Sequence, residues 1–457
     1  MPIGMNIIVK YFCCFIVISL TLVSCTNSNK SEFPFKNVVF IIVDTLSTED
    51  LGAYGNTNSP SPIIDKLARE GVLFKKAYST SSWTKPSIAS LFTGLMPSVH
   101  GVTSIDDILK EEEFTLADAF KSKGFKTAAF VSHTLISPQM GYAQGFDVYD
   151  TIPFKGNVHD VISSAKVTDM ANDWLKKNHK DPFFLFLHYF DPHNNYHHHK
   201  KFDRTSNYKG SLKSSADIRE LRKLIPTMTK EDQAFLKGLY QEEIAFTDSQ
   251  IGGFLENIEN FGLSKDTLIV LTADHGEEFL EHGEIGHSRT LYNELIHIPF
   301  ILKLPSKFKP SIVNDPISSM DIFPTLLSFL KIPIDSAVKA ASLALTLTHG
   351  MPIKKQDIVS EVDFKSSHIK AYKISVIRDN LKAILDKPSN TFELYDLEKD
   401  PQELDNIALK NPELLLTISP LILDYKDKVQ TSLPTTKKTR KERTPDEVEQ
   451  LKSLGYL

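Results

Sequence analysis

Side chains able to bind a metal or move a proton recur in this chain directly after buried apolar runs. Asp44 follows Val38-Val39-Phe40-Ile41-Ile42-Val43. Asp191 and His193 follow Phe183-Phe184-Leu185-Phe186-Leu187. Asp274 and His275 follow Thr267-Leu268-Ile269-Val270-Leu271-Thr272. Apolar runs of that length fit strands buried on both faces of a parallel sheet, and open α/β sheets bind ligands at the carboxyl ends of their strands. His287 follows on a glycine-rich loop, Glu281-His282-Gly283-Glu284-Ile285-Gly286-His287-Ser288. A hydroxyl joins them. In Thr84-Lys85-Pro86-Ser87, Pro86 suits the first position of a helix that Gly94 ends, which leaves Thr84 just outside a helix mouth. Free N–H groups and the helix dipole favour an anion there. Read alone, Thr84 is an ordinary N-cap and each Asp a turn residue. On one sheet edge, carboxylates, imidazoles and a hydroxyl are the parts of metal-assisted ester hydrolysis.

The elements that would carry these groups alternate. Strands are expected at 38–43, 126–132 (ending near His133), 183–187, 267–272 and 298–302. Helices are expected at 63–70, 161–178, 231–261 and 321–330. That order predicts an α/β fold with a mainly parallel central sheet flanked by helices. Residues 201–229 are polar and read as a surface insertion. Three adjacent rings cannot face one metal, so His197-His198-His199 read as a solvated loop. Beyond residue 345 the texture changes to short strands at 371–377, 381–385 and 391–395 and a helix at 404–423, a small antiparallel α+β subdomain. The expected division is a catalytic domain over 36–345, the subdomain over 346–425 and a charged, solvated tail over 426–457.

The 457 residues carry a net charge of −5, with 41% hydrophobic and 24% charged residues. This is a globular composition, and it offers no basic field for nucleic acid. Near the N-terminus, Lys10 precedes an apolar run over 11–23, too short for an ordinary spanning helix. Leu22-Val23-Ser24-Cys25 resembles a bacterial lipobox. The resemblance implies a signal peptide over 1–24, lipid on the Cys25 thiol, a tether over 25–35, and an extracytoplasmic, membrane-anchored protein. The three cysteines are Cys13, Cys14 and Cys25. With Cys25 lipidated, the mature chain has neither a disulfide nor a cysteine nucleophile.

Six blocks resemble the sulfatase family of the alkaline phosphatase superfamily: VVFIIVDTLSTEDLGAYG (38–55), SSWTKPSIASLFTGLMPSVHG (81–101), HYFDPH (188–193), TADHGEEFLEHGEIGHSRTLYNELIHIPFI (272–301), SSMDIFPTLL (318–327) and ELYDLEKDPQELDNIA (393–408). The closing LKSLGYL is also similar to bacterial members. The resemblance implies the alkaline phosphatase/sulfatase-like fold. It makes Asp44, Asp274 and His275, with Thr84, ligands of one divalent metal, whose identity Ca, Mn, Zn or Mg stays open. Thr45 falls where many members carry a second Asp. His193 and His287 match groups that contact the ester oxygens or protonate the leaving group. His100 matches less clearly, and helix capping would explain it.

Thr84 occupies the position where sulfatases place the Cys or Ser that becomes formylglycine. A threonine carbinol would oxidise to a ketone, so no formylglycine is expected. Ile88 stands where the pattern C/S-x-P-x-R ends in Arg, and Val131-Ser132-His133-Thr134 replaces the usual Gly-Lys-x-His block. Lys85 and His133 are the substrate-binding candidates that remain. In phosphate-handling relatives an unmodified Thr is the nucleophile. The expected activity is therefore hydrolysis of a sulfuric or, favoured by Thr84, a phosphoric ester on a glycan, lipid headgroup or small molecule. A phospho-headgroup transferase is one alternative, and a non-catalytic sulfatase-fold binding protein is another.

Overall fold

The computed structural model describes residues 33–152, 162–365, 370–432, 443–454 and 456. The signal segment, Cys25, most of the tether and the basic run up to residue 442 lie outside the described residues.

The strands that carry the site are β1 (Asn37–Val43), β2 (Val72–Tyr78), β3 (Lys126–Val131), β4 (Val148–Thr151), β5 (Phe183–Tyr189) and β6 (Thr267–Thr272). A two-stranded ribbon follows, β7 (Glu278–Phe279) with β8 (Ile285–Gly286), and then β9 (His297–Lys303), β10 (Ser311–Val313) and β11 (Ile317–Ser318). The central sheet runs β10-β2-β9-β6-β1-β5-β3-β4, with β11 beside β2. Every residue of β1, β5 and β6 is buried, which matches their unbroken apolar composition. At roughly 1.5–3 kcal/mol for each large aliphatic or aromatic side chain, these strands are the main source of core stability. β1 pairs in parallel with both β5 and β6, Ile42 lying opposite His188 on one side and Thr272 on the other. The three strands therefore end level, and Asp44 and Asp274 emerge side by side.

β9 runs antiparallel to β2 and β6. It carries Pro299 in an interior strand, where a missing N–H is normally excluded. The partner strand accommodates it: β2 shifts register between Phe74 and Ala77, opposite this residue. That bulge holds Lys75 and Lys76, whose charges interrupt the apolar run and hide β2 in the sequence.

Several boundaries differ from expectation. The helix Thr84–Thr93 begins at Thr84, with extended Trp83 as its cap, so Thr84 is the first helical residue rather than a residue outside the mouth. Gly94 ends it in a left-handed conformation, φ 68°, with Phe323 packed where a Cβ would stand. The helix expected from residue 404 begins at Pro412. The Asp400 carboxylate accepts the Leu404 and Asp405 N–H groups, and the Asn406 amide oxygen accepts those of Leu394 and Ala408. These local bonds outcompete a helical turn. The insertion 201–229 is not wholly a surface element: it forms the helix Ile218–Leu224, which buries Ile218 and Leu221.

A second sheet, β12 (Ile358–Lys365), β13 (Lys370–Arg378), β14 (Leu381–Asp386) and β15 (Thr391–Asp396), is antiparallel throughout. β12 was not expected. The largest departure comes last. Residues expected to be a solvated tail form the helix Pro445–Ser453, opened by a Thr444–Glu447 capping box. Leu451, Leu454 and Tyr456 are buried in a cluster with Trp83, Ile105, Phe190 and Phe364. Their apolar spacing outweighs the charge of the preceding segment.

Candidate active site

Asp44 and Asp274 leave adjacent strand ends, and His275 follows at once. The backbone there is shaped to aim them. Thr45 adopts a left-handed φ of 57°. Its N–H reaches Asp274 Oδ1 at 3.3 Å, its hydroxyl donates to the Asp44 carbonyl, and its carbonyl accepts the Tyr240 hydroxyl at 2.7 Å. Thr45 thus orients neighbours through its backbone while its own hydroxyl is already engaged. Gly276 packs against the Glu294 carbonyl, where an added Cβ would lie 2.0 Å from oxygen, so only glycine permits the turn that presents His275.

The ring of His275 has a definite orientation. Nδ1 lies 2.8 Å from the Gly276 carbonyl, to which it donates. Nε2 is left as the lone-pair side, 3.4 Å from Asp274 Oδ2, 3.8 Å from Asp44 Oδ1 and 3.3 Å from Thr84 Oγ1. Ligand-type atoms of Asp44, Asp274 and His275 all fall within 4.8 Å of one another. Both Asp44 oxygens and Asp274 Oδ2 lack a hydrogen bond of good geometry, although each residue is fully buried. Burial pushes the Asp44 carboxyl well up, the Asp274 and Glu277 charges push it further, and contact with the Thr84 hydroxyl acts the other way. Such a cluster is costly without a cation. Orphaned carboxylate oxygens, a hydroxyl and an imidazole whose other nitrogen is tied to a carbonyl fit a divalent metal.

Four more imidazoles cluster around the same buried residues. His188 is the penultimate residue of β5, and its Nε2 lies 3.6 Å from Asp44 Oδ2. Burial drives it down to about 4. His133, beyond β3, points Nε2 to 4.0 Å from the same oxygen, while its Nδ1 accepts the Leu135 N–H. The His193 ring centre lies 4.8 Å from that of His287. His287 is held through Nδ1 by Glu277 Oε1 at 2.7 Å, and its Nε2 lies 3.1 Å from the Tyr456 hydroxyl. Burial, then the Arg222 charge, lowers His287 to about 3, whereas burial raises Glu277 to about 8. Both shifts disfavour charge in this part of the site.

Other candidates are engaged elsewhere. The Lys85 ammonium donates to the Ile105 carbonyl at 2.6 Å and reaches the Met140 sulfur at 3.5 Å. The Asp191 carboxylate accepts the Ser163 and Ser164 N–H groups and the Ser163 hydroxyl, which caps the helix Ser164–Asn178. His100 bridges the Ser90 hydroxyl and the Val102 N–H. Ile88 is fully buried in the main core. His197 and His199 approach Glu243 through a backbone N–H and a ring nitrogen, and His198 pairs with Glu242, so this loop is clasped to the long helix Lys230–Asn260 rather than free in solvent. His198, Asp203 and Glu242 also approach one another, but Glu242 already accepts the Arg204 and His199 N–H groups.

Sequence reasoning passed over His188, Glu277, Arg222 and Tyr456. A histidine inside Phe183-Phe184-Leu185-Phe186-Leu187-His188-Tyr189 was a usable signal, because a polar ring in a fully buried strand needs a purpose.

The sulfatase family model matches residues 36–332, and the model described as N-sulphoglucosamine sulphohydrolase, C-terminal, matches residues 281–423. An ulvan-active sulfatase of Formosa agariphila is 30% identical over 369 residues, covering 74% of this chain and 71% of its own length. The structure of a 2-O GAG sulfatase aligns with a TM-score of 0.74 at 24% identity over 91% of this chain and 99% of its own. The phosphonate monoester hydrolase of Agrobacterium radiobacter aligns at 0.72 and 22% over 90% and 100%. The chain belongs to the sulfatase family of the alkaline phosphatase superfamily. Within it, this chain is a sulfatase-like hydrolase of ester bonds.

Proposed function

We propose that the protein hydrolyses an oxyanion ester with Thr84 as nucleophile, on a divalent metal held by Asp44, Asp274, His275 and Thr84. The observation that carries this reading is the position of Thr84 Oγ1, 3.3 Å from His275 Nε2 at the point where the orphaned carboxylates converge. A bound cation would supply Lewis acidity to the ester oxygens and lower the pKa of the hydroxyl. Calcium, manganese, zinc and magnesium all suit this donor set.

Thr84 Oγ attacks phosphorus or sulfur, and its proton passes to the adjacent Asp44 carboxylate. The bond to the leaving alcohol breaks, and the His287 N–H protonates that oxygen while the Glu277 carboxyl, which burial keeps protonated, passes its proton to His287 Nδ1; His193 is the second candidate donor. Water then cleaves the Thr84 ester, one of its protons returning to Glu277 through His287 and the proton on Asp44 returning to Thr84 Oγ, which releases the oxyanion and restores the hydroxyl. His287 is held in one orientation by Glu277, as a proton carrier requires. A phosphorylated Thr is cleared by water more readily than a sulfated one that lacks the hemiacetal route. Thr84 therefore favours a phosphoric ester, while the names of the relatives favour a sulfuric ester on a glycan. The lipobox-like Leu22-Val23-Ser24-Cys25 supports an extracytoplasmic protein held at a bacterial membrane by lipid on Cys25.

The test is an assay of the chain from residue 31 with aryl sulfate, phosphomonoester and phosphodiester substrates across calcium, manganese, zinc and magnesium. Turnover of at least one ester is expected. Turnover that persists undiminished in Thr84→Ala would overturn the nucleophile assignment, and transfer to an added alcohol in place of hydrolysis would favour the transferase reading.

A further inference from the structure

The site just described is closed. Asp44, Thr84 and His275 are fully buried, and His193 and His287 are nearly so. Part of the cover is formed by residues 443–454 and Tyr456. Their helix is anchored by Leu451 and Leu454 in the apolar cluster that also holds Trp83, Ile105 and Phe364. The Asn195 amide reaches the Ser453 carbonyl at 3.5 Å, and Arg443 pairs with Asp106. These anchors place Tyr456 without using its hydroxyl. Its ring packs between Phe364, centroids 5.7 Å apart, and Trp83, 6.2 Å.

The hydroxyl lies 3.1 Å from His287 Nε2, and the ring packs on Trp83, the residue before Thr84. His287 and Thr84 must touch an ester from its leaving and attacked sides. An atom on His287 and beside the start of the Thr84 helix therefore borders the space that the ester oxygens fill. That space is rich in acceptors, since Asp44, Asp274 and Glu277 all approach it. Ile88, buried in the core, contributes no donor. An oxyanion needs donors on the side away from the carboxylates, and a neutral phenol supplies one without adding charge.

We propose that Tyr456 contacts the substrate in this site, its phenolic O–H donating to an oxygen of the ester held beside Thr84 and His287, with the helix Pro445–Ser453 as the support that places it there. The proposal rests on the hydrolase reading above.

The test uses the chain from residue 31 with 4-nitrophenyl phosphate, 4-nitrophenyl sulfate and orthovanadate, a tetrahedral oxyanion, in the presence of a divalent metal. Tyr456→Phe keeps the packing of the ring and removes only the hydroxyl. The expected result is a loss of about tenfold in kcat/KM and a comparable weakening of vanadate binding by calorimetry, the scale of one hydrogen bond to a charged group. The melting temperature should be unchanged, which separates the hydroxyl from a packing role. Tyr456→Phe protein that turns over ester and binds vanadate as well as wild type, or better, would overturn the proposal. So would wild-type protein that neither hydrolyses these esters nor binds vanadate. A Thr84→Ala variant tells the two claims apart: if it is inactive while Tyr456→Phe is unimpaired, only the role of Tyr456 falls, and if it stays active, the nucleophile assignment falls.

Discussion

Thr84 lies against an imidazole lone pair and two carboxylates that have few protein donors, at the first turn of a buried helix. A threonine cannot become an aldehyde, so any covalent chemistry here uses the hydroxyl itself. Thr84→Ala should lower turnover by at least about a thousandfold, as loss of a covalent nucleophile does, and Thr84→Ser should retain a substantial part of it. Steady-state rates on the best ester of the panel check both. Asp44→Asn should remove most of the metal response, because it replaces a carboxylate that has no protein donor of good geometry. In differential scanning calorimetry a ligand at a hundred times its Kd stabilises by about 2.7 kcal/mol. Wild type should gain on that scale with its preferred cation, and Asp44→Asn should gain far less. The placing of Asp44, Asp274 and His275 at strand ends was legible in the sequence because each follows a run whose length and composition fix where it ends, and Thr84 was marked by Pro86 and Gly94, which frame its helix. His188 and Glu277 were not, since nothing in a single chain says which face of a strand end or loop a side chain takes.

The loop that delivers His287 is tied through His282 to Glu294 and to the turn at Glu403, beyond β15. The Nδ1 of His282 lies 2.6 Å from Glu294 Oε1, its Nε2 3.0 Å from the Glu403 carbonyl, and its ring stacks on Tyr292 at 3.6 Å. Burial pulls its pKa down, but the bonds to Glu294 and to the Glu403 carbonyl outweigh burial and raise it to about 9. A histidine whose folded pKa is raised contributes stability that is complete below its unfolded value of about 6.5 and disappears as pH rises through the folded value. Wild type should therefore lose stability between about pH 6.5 and 9, and His282→Gln should flatten that slope in denaturant titrations run across the same range. The neighbouring ion pair of Lys382 and Glu403, 2.7 Å apart and fully buried on both sides, makes a separate prediction. Lys382→Met leaves a buried carboxylate without its cation and should cost about 3–5 kcal/mol of unfolding free energy. At this scale the buried parallel strands were readable from composition alone. β2 and the start of the helix at Pro412 were hidden, one by two lysines in a bulge and the other by side-chain bonds to the backbone of a turn.

In the molecule as a whole, the central sheet carries Asp44, Asp274 and His275 at its strand ends, and segments beyond residue 345 pack against Trp83 beside them. β12, β13 and the helix Pro445–Ser453 share one apolar cluster with Trp83, the residue before Thr84. This relation was not visible in the sequence, where residues 426–457 read by charge as solvent-facing, because charge pattern says nothing about where three apolar side chains can find a surface. The organisation predicts that the second sheet and the catalytic residues unfold in one transition, which calorimetry of the soluble chain would show as a single peak. The central claim is the covalent role of Thr84, and acid quenching during turnover of a phosphate or sulfate ester, followed by mass analysis of the peptide that contains it, addresses that claim most directly. A phosphoryl or sulfuryl group on Thr84 that disappears as substrate is exhausted is the predicted result. The same group found on another residue, with Thr84→Ala turning over at the wild-type rate, would contradict it.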